Sequence, residues 1–273
     1  MTNPISPKKF HQLFGDEKPI IGMVHVLALP GTPCHNQPME TIIKTAVEEA
    51  RMLVDNGVQS VMLENMHDIP YLNRKVGPEI IAAMTAVAVA VRKAVKVPLG
   101  IQILAGANQS ALAVALAANF QFIRAEGFVF GHLADEGYMD SDAGELLRYR
   151  KAIGAEHIAI FTDIKKKHSA HTVTSDVSLA ETAKAAEFFL SDGLIITGTA
   201  TGSPADPADL KAVRDVTKLP VLVGSGVTPE NIQSTAPFAD GFIVGSYFKK
   251  AGYWENSVDG ERVKKLTSAY NSK

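Results

Sequence analysis

Cysteine is almost absent. Cys34 is the single one in the chain, which excludes an internal disulfide and any multi-cysteine metal site and suits a reducing compartment. A charge excess is also missing: 27 Lys and Arg stand against 29 Asp and Glu, for a net charge of −2. Proteins that track a phosphate backbone carry a basic face, so no nucleic-acid partner is expected. Long hydrophobic runs are lacking too. The two longest, AAMTAVAVAV (82–91) and ALAVALAANF (111–120), are too short to span a bilayer and rich in Ala, so they read as buried helices and no membrane contact is expected. The opening MTNPISPKKFHQLFGDEKP has neither an apolar signal core nor an Arg-rich pattern, so the expected location is cytoplasmic. No low-complexity linker divides residues 1–273, which predicts one domain with an N-terminal extension (1–18) and a C-terminal helical region (247–273).

What is present has a rhythm. Short apolar runs at 20–26, 60–65, 99–104, 122–128, 157–164, 193–198, 221–226 and 241–246 alternate with helical patterns. The helices are predicted at 38–56, 77–95, 108–119, 141–153, 178–190, 206–217 and 229–235, with a final helical region after the last run. Runs of four to eight residues rich in Val and Ile and bounded by turn residues fit strands buried on both faces. Gly57, Gly154 and Gly193 fall between a helix and the next strand, where helices commonly end. Eight such units predict an α/β fold, a single (β/α)8 TIM barrel; a doubly wound open sheet is the rival.

A barrel places its active site at the C-terminal ends of the strands. There the polar residues gather: His25, Glu64, Gln102, Arg124, Glu126, Asp163, Lys165 and Thr197. Side chains alternate along a strand, which predicts Arg124 and Glu126 on one side and Asp163 and Lys165 on another. Asp163 or Glu126 is then a candidate general acid or base, Lys165 and Arg124 stabilise negative charge, and Glu64 and His25 orient substrate. The alternative is a buried ion-pair network that only fills the barrel mouth. Gln102, Thr197 and Gly198 are candidate substrate contacts.

The seventh run ends Gly224-Ser225-Gly226 and the eighth ends Gly245-Ser246. In such barrels the loops after strands seven and eight often bind phosphate through free N–H groups and a helix N-terminus. Thr228 is expected to cap that helix and Pro229 to open it. The expected ligand is a phosphorylated small molecule; the alternative is that the glycines only relieve crowding. His132 and Asp135, in the loop after the fourth run, are weak candidates for a divalent metal, with no established ligand spacing. The run DIKKKHSAH (163–171) reads as a solvated basic loop or as a contact for a second anionic group, and the loop at 197–207 as a cover over a sugar.

MVHVLALPGTP, GPEIIAAM, FIRAEGFVFGHLADEG, FTDIKKKHS, ITGTATGSP and VLVGSGVTPENI, in this order, resemble the BtpA/SgcQ family over nearly the whole chain. That resemblance implies a TIM barrel of the ribulose-phosphate-binding kind, and a context of photosystem I biogenesis or of a sugar-uptake cluster with a nucleosidase label. Three functions follow. The first is an enzyme acting on a phosphorylated sugar or nucleotide-like compound, as nucleosidase, isomerase or lyase. The second is a non-catalytic assembly factor. The third is a metal-dependent hydrolase. A homo-oligomer is expected in each case.

Overall fold

The structure, a computed structural model, describes residues 8–198 and 202–271. Eight parallel strands close into a barrel: β1 (Ile20–His25), β2 (Ser60–Glu64), β3 (Leu99–Gln102), β4 (Phe122–Ala125), β5 (Ala159–Asp163), β6 (Gly193–Ile196), β7 (Val221–Val223) and β8 (Gly241–Val244). Neighbours in sequence are neighbours in the barrel, and Ile20 against Phe242 closes the ring. Helices follow the strands: α2 (Met39–Asp55), α3 (Pro78–Ala94), α4 (Asn108–Ala117), α5 (Ala143–Ala152), α6 (Leu179–Phe188), α7 (Pro207–Arg214), α8 (Ile232–Thr235) and α9 (Gly260–Asn271). The fold class read from the sequence is the fold observed, and every predicted strand is found within its predicted run.

The alternating side chains separate two cores. One set packs outward against the helices, with Val24, Leu63, Ile101 and Ile123 among them. The other fills the barrel: Ile21, Met23, Met62, Phe122, Phe161, Ile195, Leu222 and Ile243. The N-terminal extension forms α1 (Lys8–Phe14), whose Phe10 and Phe14 plug the lower end of the barrel against Phe161 and Phe122. Apolar contact on that scale is worth roughly 1.5–3 kcal/mol per side chain. The lower barrel is therefore closed; Asp192, buried just before β6, is paired there with Arg150 and Lys9, and the candidate site residues stand at the upper end.

Three elements depart from the sequence expectations. The loop after β4 contains a hairpin (His132–Ala134 with Gly137–Met139) that pairs with Ser169–Ala170 of the next loop. The helix expected from residue 229 begins at Ile232 and has four residues; Thr228 lies in a turn, donating its N–H to Asn231 Oδ1 at 2.9 Å. The C-terminal region is helical from Gly260, after two short 3-10 turns and a non-helical segment that carries Trp254.

Candidate functional site

The upper ends of the strands enclose a cavity of about 430 Å³. Strand register builds its floor: His25 stands beside Glu64, and Glu64 beside Gln102. His25 Nδ1 lies 2.8 Å from the Trp254 carbonyl oxygen, and because a carbonyl only accepts, Nδ1 carries the proton. Its Nε2 faces Glu64 Oε2 at 3.9 Å. Burial, reinforced by Lys249, holds the imidazole well below its ordinary pKa, so it is neutral. Burial also raises the Glu64 carboxyl above the usual range, against the pull of Arg124 and Lys167.

The charged groups are paired across strands. Arg124 grips Asp163 with both arms of its fork, Nε to Oδ2 at 2.7 Å and Nη2 to Oδ1 at 2.8 Å. Burial opposes the Arg124 charge, but Asp163, Glu64 and Glu126 outweigh it and raise its pKa. Glu126 accepts from Gln102 Nε2 at 3.0 Å and from Lys166 Nζ at 3.1 Å. Lys166 is buried, which works against its charge, yet facing Glu126 and Glu136 it is pushed up. Burial pushes Lys167 down, and Arg124 adds to the effect.

Of the sequence candidates, His25, Glu64, Gln102, Arg124, Glu126, Gly224, Ser225, Gly226, Gly245 and Ser246 line this one cavity. Asp163 does not; it lies behind Arg124 and borders a second cavity of about 20 Å³ with His132 and His171. Lys165 does not share a side with Asp163. β5 ends at Asp163, and Lys165, at φ 48°, turns its ammonium to the carbonyls of Val177 and Thr174. The turn delivers the next two lysines to the cavity instead, so KKK is not a solvated loop: Lys166 is buried against Glu126 and Lys167 lines the wall. Thr197 is absent from the lining, and among the described residues its buried Oγ1 has no partner. Gly198 gives its N–H to Ser225 Oγ at 2.8 Å, and Ser225 Oγ donates to the Ser203 carbonyl at 2.9 Å. Residues 199–201 of that loop lie outside the described residues.

At Gly226 the backbone has φ +65° and a Cβ would stand 2.3 Å from the Ser203–Pro204 backbone, so only glycine fits. Close packing of two loops is thus one reason for this glycine. With α8 so short and starting at Ile232, no helix dipole points at the rim, contrary to expectation. The rim retains its amides: among the described residues no hydrogen bond engages the N–H of Gly226, Val227 or Gly245. Arg262 also reaches the cavity, its guanidinium 4.4 Å above the Tyr247 ring.

The two metal candidates are separated. His132 is buried beside the small cavity, whereas Asp135 is exposed at the mouth of the large one. Among the described residues no group of three His, Cys, Asp or Glu is placed to hold a metal ion. Sequence reasoning missed Lys167, Trp254 and Arg262. The KKK run just past a strand end was the available signal for the lysine. Nothing local marked the other two.

The family model described as the BtpA family matches residues 16–272. The uncharacterized mitochondrial protein F13E9.13 of Caenorhabditis elegans is 49% identical over 270 residues, 96% of this chain and 96% of its own. The photosystem I biogenesis protein BtpA of Synechocystis is 34% identical over 94% of this chain and 90% of its own. In structure, the (S)-3-O-geranylgeranylglyceryl phosphate synthase of Thermoplasma acidophilum, solved with its substrate sn-glycerol-1-phosphate, matches with a TM-score of 0.61 at 16% identity, covering 98% of each chain, a likeness of fold. No helix among the described residues is long and apolar enough to cross a membrane. A family model that runs from before β1 to the last helix, together with relatives this similar over their whole length, makes the chain a member of the BtpA family.

Proposed function

We propose that the protein is an enzyme acting on a phosphorylated small molecule, sugar-like or nucleotide-like, with the phosphate held by the loops after β7 and β8. One observation carries this reading. The rim at Gly224–Val227 and Gly245–Ser246, with the amides of Gly226, Val227 and Gly245, lines the same cavity as the buried Glu64, Arg124 and Lys166 and the half-buried Lys167. The rim offers N–H donors without side-chain charge, and Arg262 supplies a cation beside it. In the same cavity, Arg124 and the two lysines stabilise negative charge that develops in a reaction, and Glu64 is the group positioned to give and take a proton. Asp163 and Glu126 are occupied by Arg124 and Lys166, so their role is to hold those cations. The phosphorylated substrate of the Thermoplasma synthase supports a phosphate ligand in this type of barrel. Cleavage at an anomeric carbon, isomerisation and a lyase step all fit this set of groups.

The test is thermal unfolding with inorganic phosphate, ribose 5-phosphate, other pentose and hexose phosphates and nucleotides. A ligand at a hundredfold excess over its Kd stabilises the fold by about 2.7 kcal/mol. Ser246→Asp places a carboxylate on the rim and should abolish the shift while the variant melts normally without ligand. If no phosphorylated compound shifts the wild type, the reading fails. The name of the Synechocystis relative favours a second reading, an assembly factor that binds without turnover. A stabilising ligand that stays chemically unchanged by NMR after prolonged incubation selects it.

A further inference from the structure

Lys167 is the one cavity lysine to which the paired network gives no role. Lys165 caps backbone carbonyls and Lys166 is bound to Glu126. Among the described residues, no carboxylate comes within ion-pair distance of Lys167 Nζ, and no hydrogen bond engages it. It lines the same cavity as Glu64 and the rim glycines. Lys167 is half-buried, and an ammonium drawn partly out of water without a partner carries a desolvation cost.

From this placement we propose that Lys167 is a nucleophile that forms an imine with an aldehyde or ketone, so that the substrate class is a carbonyl compound carrying a phosphate. The proposal rests on the phosphate reading above and narrows it. Two features of the surroundings suit the chemistry. Burial and the nearby Arg124 guanidinium favour the neutral amine at Lys167, the form that attacks. Burial favours the protonated acid at Glu64, the form that donates.

The step balances with these two groups. The Nζ lone pair forms the C–N bond while the carbonyl π pair moves onto oxygen, which takes the Glu64 proton. The nitrogen, now cationic, returns one proton to Glu64. The hydroxyl takes that proton and leaves as water while the nitrogen lone pair closes the C=N bond. The products are a protonated imine facing the Glu64 carboxylate and one water. An imine at this point draws electrons from the adjacent carbon, which serves either isomerisation or cleavage of the next C–C bond.

The experiment is reductive trapping. The protein is mixed separately with glyceraldehyde 3-phosphate, dihydroxyacetone phosphate and ribose 5-phosphate, reduced with sodium borohydride, and read by intact mass and peptide mapping. Glyceraldehyde without phosphate runs alongside, and excess inorganic phosphate competes. The expected result is one adduct per chain at Lys167, at least tenfold above any other lysine and suppressed by phosphate. Lys167→Arg keeps the cation but forms no imine, and it should show normal melting and no adduct. Adducts spread evenly over the lysines, or unchanged labelling of Lys167→Arg, overturn the proposal. Thermal shifts with the same compounds separate the two readings. A shift with no Lys167 adduct sinks the lysine nucleophile and leaves the phosphate site standing. The absence of both sinks both.

Discussion

Arg124 and Asp163 meet edge to edge, two nitrogens on two oxygens at 2.7 and 2.8 Å, with both side chains almost shut off from solvent. A carboxylate that spends both oxygens on one guanidinium is not available to move a proton. Asp163 positions Arg124, and Arg124 faces the cavity.

This relationship makes a prediction for Asp163→Asn. Removing one partner of a buried ion pair strands the other charge, at a cost of about 3–5 kcal/mol. Chemical denaturation should show a loss of that order, and the phosphate-induced thermal shift should shrink. Full stability in the variant would mean that the pair is not buried as described.

A second buried pair anchors the C-terminal segment. Lys249 Nζ donates to Glu49 Oε2 at 2.8 Å, and Glu49 Oε1 accepts the Val258 N–H at 2.9 Å, tying α2 to the stretch that holds Trp254 over His25. Lys249→Met should cost about 3–5 kcal/mol by leaving the Glu49 carboxylate unpaired. Glu49→Gln in the same chain should recover much of it, since no bare charge remains. Trp254 is the single tryptophan, so its fluorescence reports the segment directly: a red shift is expected in Lys249→Met. An unshifted emission together with unchanged stability would contradict the anchor.

The hairpin region carries two opposed titrations. Burial, with Lys166 and His171 adding, depresses His132 to about 4, whereas burial raises Asp142 to about 6 against the pull of Arg74. For His132 the unfolded chain binds the proton first as pH falls from about 6.5. The stability of the neutral buried ring is thus present above that pH and lost towards pH 4, by about 3 kcal/mol. For Asp142 the folded chain binds the proton first, so lowering the pH from about 6 towards the ordinary carboxylate range stabilises the fold by about 3 kcal/mol. The two oppose each other in the wild type. Asp142→Asn should steepen acid destabilisation between pH 6 and 4, and His132→Phe should reduce or reverse it. Urea denaturation across that range reads both; parallel pH profiles for the two variants would refute the assignment.

The barrel was legible because periodicity is local. Runs such as VLV and GFIV, buried on both faces, repeat eight times between helical stretches, and each unit announces itself within a few residues; Gly57 and Gly154 follow helices as expected, whereas Gly193 opens β6. The expectation that polar residues gather at strand ends also survives for His25, Glu64, Gln102, Arg124 and Glu126, all on the cavity. Alternation failed at Lys165, because it holds only while the chain stays extended. One residue at φ 48° after the strand end reversed which lysines face inward.

The sequence by itself determined the number and order of the strand–helix units, and thereby the end of the barrel at which charge collects. Tertiary structure alone decided which charges are spent on one another and which are left over. Asp163 with Arg124, Glu126 with Lys166 and Glu49 with Lys249 are pairs formed across 39, 40 and 200 positions of chain. Propensity and periodicity act over a few residues, whereas ion pairing acts over a few ångströms between atoms that only the closed barrel brings together. Lys167, with no such partner, became visible as a distinct group only once those pairs were in place.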